Sequence, residues 1–112
     1  MLIIDAENNI KLTRGDTAIL DIELTDETGE PYIMDPDDWL IFTVRRIAGV
    51  GQPVLSKKVN GNEITISTDD TKGLSFGIYM YDIYLYNERT QKLDTFIAER
   101  ELDLSKEVHN FE

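Results

Sequence analysis

The chain has no cysteine, one histidine, one tryptophan and only three prolines in 112 residues. Without cysteine there is no disulfide framework, and thiolate zinc and thiol redox chemistry are excluded. The lone histidine, His109, stands near the end of the sequence, where chain ends fray. No G-x-S-x-G elbow or other nucleophile context accompanies it, so the reading is non-enzymatic, with no catalytic residue. Basic side chains are also scarce: 11 Lys and Arg face 22 Asp and Glu, a formal charge of −11. Nucleic-acid phosphates and anionic membrane surfaces both need clustered cations, so neither is an expected partner. No apolar run approaches the roughly 20 residues of a membrane span. Met1-Leu-Ile-Ile passes directly into Asp5 and Glu7, without the basic and apolar regions of a secretory leader. Synthesis and assembly in the cytoplasm are therefore expected.

Glycine and carboxylate motifs add no cofactor. Gly49-Val-Gly51 lacks the third glycine of a dinucleotide fingerprint. Asp35-Pro-Asp37-Asp38 and Asp69-Asp70 lack the spacing of a calcium loop; they read as acidic loops that cap turns and keep strand edges soluble. Neither a cofactor nor a metal is expected.

What the sequence does have is alternation. At 41% hydrophobic and 29% charged residues, it is too apolar for disorder, and its length suits one domain, 1–112. Ala18, Leu20, Ile22 and Leu24 share one parity, as do Leu40, Phe42 and Val44, then Ile64 and Ile66, then Tyr79, Tyr81, Ile83 and Leu85. A period of two marks half-buried strands. The intervening residues are turn formers: Arg14-Gly15-Asp16, Asp26 to Pro31, Gly49 to Pro53, and Asn60-Gly61. Asn60-Gly61 predicts a two-residue hairpin joining strands at 54–59 and 63–67. Asp69 to Gly73 predicts one helical turn, capped by Thr68 or Asp69.

About seven to nine short strands at this spacing predict an all-β, immunoglobulin-like antiparallel β-sandwich. The sandwich is preferred to a barrel because Gly77-Ile-Tyr79-Met-Tyr81 resembles a tyrosine corner. There the Tyr79 hydroxyl would bond back to the preceding loop.

The strand parities leave five large side chains outside: Trp39, Ile41, Met80, Tyr84 and Tyr86. In an immunoglobulin-like sandwich the two strands that carry them, C and F, are neighbours. Their outer faces would merge into one patch of the composition found in interface cores. Burial by a partner is one reading, and cover from the segment around Phe111 is another. A third is a carbohydrate-binding platform in which Trp39, Tyr84 and Tyr86 stack on sugar rings. The charge is also unevenly spread: residues 1–38 carry a net −9, residues 39–92 a net +2, and residues 93–112 a net −4.

Ile10-Lys-Leu-Thr-Arg-Gly-Asp-Thr-Ala18, Asp26-Glu-Thr-Gly-Glu-Pro-Tyr32, Trp39-Leu-Ile-Phe-Thr-Val-Arg45, Gly77-Ile-Tyr-Met-Tyr-Asp-Ile83 and Asp94-Thr-Phe follow in that order. This succession resembles small immunoglobulin-like tail and baseplate proteins of Gram-positive phages and prophages, and is similar to the N-terminal domain of baseplate upper proteins. It departs from them at Ile33 to Asp38, where the leucine-rich loop before strand C is missing. The resemblance implies a virion structural protein, a homo-oligomer or a part contacting other virion proteins. Such a protein would be assembled in the bacterial host cytoplasm and then carried in the virion. Function by this route is fold-level analogy.

Overall fold

A computed structural model describes residues 2–47 and 51–106. The readings placed on Gly49, His109 and Phe111 lie outside the described residues. The elements follow in the order β1 (Leu2–Ile4), β2 (Ile10–Thr13), β3 (Ala18–Asp21), β4 (Asp38–Arg45), β5 (Leu55–Val59), β6 (Glu63–Ile66), α1 (Thr68–Lys72), β7 (Gly77–Asn87) and β8 (Lys92–Ser105). A six-stranded sheet runs β1-β2-β8-β7-β4-β5, and a second sheet pairs β3 with β6. The fold is mainly β.

The period-two pattern sets the core. Leu40, Phe42 and Val44 of β4 are buried, as are Tyr79, Tyr81, Ile83 and Leu85 of β7. They share one hydrophobic cluster with Ala18 and Leu20 of β3 and with Ile64 and Ile66 of β6. Phe42 and Tyr81 meet at its centre with ring centroids 5.5 Å apart.

Three expectations are corrected. The large sheet is mixed rather than wholly antiparallel, because β2 runs parallel to β8 from Ile10↔Leu102 to Thr13↔Ser105. That pairing puts Ile10, Leu12, Leu102 and Leu104, all buried, on one inward face. The Asn60-Gly61 hairpin does not form: β5 pairs with β4, and β6 pairs with β3 in the other sheet. Neither residue has the positive φ that a I′ turn demands. Instead Asn60 Nδ2 donates to the carbonyls of Pro36 and Asp38 at 3.1 and 2.6 Å, and Asn62 Nδ2 to that of Ile22 at 3.1 Å. Long-range bonds to both sheets outweigh the local turn preference. The helix is capped one residue earlier than predicted: the Ser67 N–H donates to Asp70 Oδ2 at 2.7 Å. Lys57 Nζ lies 2.8 Å from the same oxygen.

The Tyr79 hydroxyl donates to the Ser75 carbonyl at 2.7 Å, the bond expected of a tyrosine corner. Removing it with Tyr79→Phe leaves a carbonyl without its partner and is expected to cost about 1–2 kcal/mol. Urea unfolding should show a lower midpoint with an unchanged slope; an unchanged midpoint would mean that the bond contributes nothing to stability.

At the start of β4 a buried carboxylate gathers the preceding loop. Asp38 Oδ2 accepts the Tyr32 hydroxyl at 2.6 Å and the Asp35 N–H at 2.9 Å, and Oδ1 accepts Asn87 Nδ2 at 2.8 Å. Burial pushes this carboxyl up, but the three hydrogen bonds, with Arg89 nearby, outweigh it and hold the group below the usual range. Its bond raises the Tyr32 phenol to about 12.

Candidate functional site

The five outward residues are brought together by the pairing of β4 with β7. Trp39 stands opposite Tyr86, Ile41 opposite Tyr84, Thr43 opposite Asp82 and Arg45 opposite Met80. Directly opposed side chains on one face of a sheet touch, so these four rows form a ladder. All five named residues are half-buried rather than open to water. The ladder extends onto both flanking strands. Lys58 of β5 is opposite Ile41, and Leu93 and Thr95 of β8 are opposite Tyr86 and Tyr84.

The middle row is polar and buried. Asp82 is 5% exposed, and its Oδ2 accepts the Tyr84 hydroxyl at 3.0 Å and Arg45 Nη1 at 3.4 Å. Its Oδ1 and the Trp39 indole N–H are shielded from solvent and have no hydrogen-bond partner among the described residues. Orphaned buried polar atoms are uncommon in folded proteins. Burial, with the Asp82 bond, raises the Tyr84 phenol, keeping it a hydrogen-bond donor across the ordinary pH range. Lys58 Nζ lies 4.8 Å from the centroid of the Trp39 ring, a cation–π contact that fixes the indole.

Two large residues of this face were not singled out from the sequence. Leu93 and Ile78 are 56% and 57% exposed. Ile78 has the parity of Met80, so its placement was legible. Leu93 was not, because a register shift between β7 and β8 near Ile83 breaks the alternation of the last strand.

The carboxylate motifs serve the fold. Besides the Asp38 hub and the Asp70 cap, Asp37 Oδ2 lies 3.3 Å from Arg89 Nε, and Asp26 Oδ1 ties its own turn through Thr28 and Glu30. Among the described residues no group of three or more His, Asp or Glu side chains is arranged to hold a metal ion. Arg14-Gly15-Asp16 is the turn from β2 to β3, with Gly15 at φ 87° and its N–H donating to Thr71 Oγ1 at 2.8 Å. Comparison of the chain with protein-family models, with curated proteins and with solved structures finds no match in any of the three.

Proposed function

We propose that the protein is a non-enzymatic assembly component that works through protein–protein contacts made by the outer face of β4 and β7. The observation that carries this reading is the ladder itself. Trp39, Tyr86, Ile41 and Tyr84 form adjoining pairs, with exposed Leu93 at their edge. Aromatic residues and Met surrounded by a polar rim are the usual make-up of an interface centre. The finer reading of the fold is an immunoglobulin-like sandwich with β4 and β7 as its C and F strands. The adjacency of these strands and the Tyr79–Ser75 bond support it. The resemblance to phage tail and baseplate proteins supplies the setting: copies of the chain, or neighbouring virion proteins, assembled in the host cytoplasm. A sugar platform is the weaker reading, since the Lys58 ammonium sits over the Trp39 ring that a sugar would stack on.

Introducing charge at Ile41→Glu together with Leu93→Glu tests the proposal. Glutamate at 41 faces Lys58 across the strand pair, which offers the new carboxylate an opposite charge. Light scattering should show a multimeric mass for the parent chain and a monomeric mass for the double variant. A multimeric mass that the variant leaves unchanged would remove the face from the account.

A further inference from the structure

Between Lys92 and Glu99, β8 is held along one edge only. β7 pairs with that edge, whereas β2 first meets the other edge at Leu102. The turn after β1 closes the sheet just short of this stretch. There the Glu7 carbonyl accepts Arg100 Nε, and Asn9 Oδ1 accepts the Glu101 N–H, both at 3.0 Å. Beyond the turn, no strand among the described residues covers the edge. Among the described strands, β3 is likewise paired on one side, by β6.

Two cavities, of about 580 and 440 Å³, lie along these open edges and share Thr25 and Phe96. They make one groove. Its floor is apolar, built from Tyr81, Ile83 and Leu85 on the inner face of β7, with Phe96 and Ile97 of β8. Its walls carry Asp21, Glu23, Asp26, Glu27 and Asp94, and no lysine or arginine lines it among the described residues. Arg100, close by in sequence, is tied to the carbonyls of Glu7, Ala98 and Glu99. An open strand edge beside an apolar floor is the geometry that accepts an added strand.

We propose that this groove takes an extended segment of a partner protein, added as a strand to the free edge of β8. Its apolar side chains turn to the floor, and its lysines or arginines, at alternate positions, meet the five carboxylates. The carboxylates of the groove select this occupant over a second copy docked edge to edge, which would set the same five carboxylates against one another. The groove lies against the inner face of β7, opposite the β4–β7 ladder, and shares only Thr95 of β8 with it, so the two proposals are tested separately.

The test uses the full ¹⁵N-labelled chain and a blocked peptide of alternating lysine and valine, with a glutamate–valine peptide as control. Binding of the lysine peptide should shift and protect from exchange the amides of Leu93 to Ile97, and should weaken as salt rises. Glu23→Lys with Glu27→Lys, both exposed, should weaken it by about tenfold or more. Several outcomes would overturn the proposal: no binding, equal binding of the glutamate peptide, or shifts confined to the Trp39 face. Protection of the same amides by self-association alone would assign the groove to a second copy and overturn it equally.

Discussion

Replacing Phe42 by alanine is expected to lower the unfolding free energy by about 3–5 kcal/mol. Phe42 is 0% exposed and meets Tyr81 across the centre of the core. Truncation removes the transfer free energy of the ring and leaves a cavity that surrounding strands fill only in part. With no disulfide to hold the sheets, packing must supply what cross-links supply elsewhere, so the loss falls on the whole domain. The effect reaches the proposed interface as well, because β4 carries Phe42 inward and Ile41 outward. Chemical denaturation measures the loss. A change under about 1 kcal/mol would mean that the two sheets are not packed as described.

Asp38→Ala is expected to cost about 2–4 kcal/mol. One substitution leaves the Tyr32 hydroxyl, the Asp35 N–H and the Asn87 amide without their common acceptor, and buried donors without partners are costly. The pH dependence gives a second readout. The folded-state pKa of Asp38 is depressed, so its contribution is present above the ordinary carboxylate value, about 4. It is lost as the pH falls through the lower folded value. Asp5, Asp26 and Asp70 are shifted in the same direction, so the parent chain should lose stability in acid through several groups. Asp38→Asn, which cannot ionise, should lose less than the parent between about pH 4 and pH 2. Identical acid limbs for the two proteins would show that the carboxylate is not held as an anion.

Much of the architecture was legible because burial on one face writes a period of two into each strand. Leu40, Phe42 and Val44 alternate with Trp39, Ile41 and Arg45 in the sequence as they do in the sheet. The Tyr79 bond was legible from Gly77-Ile-Tyr79, since it closes over only four residues. What escaped depended on partners far along the chain. Asn60-Gly61 carries a strong local hairpin signal, yet its flanking strands belong to different sheets. Nothing local to β5 says that it will choose β4, whose residues lie on the far side of Gly49 to Pro53. The parallel pairing of β2 with β8 joins the two ends of the sequence, and alternation carries no strand direction. For the candidate site, parity alone gathered Trp39, Ile41, Met80, Tyr84 and Tyr86. It missed Leu93 because of the register shift, and it gave no notice that the Thr43–Asp82 row beside the aromatics is buried.

Trp39 is the only tryptophan in the chain, so its fluorescence reports on the proposed interface without modification of the protein. The decisive measurement is its emission maximum recorded alongside mass through a dilution series. If the β4–β7 face is where copies meet, the emission moves to the red as the mass falls to that of the monomer. In Ile41→Glu/Leu93→Glu it is red-shifted at every concentration. An emission maximum that stays fixed while the mass falls would contradict the account, placing the contact elsewhere on the molecule.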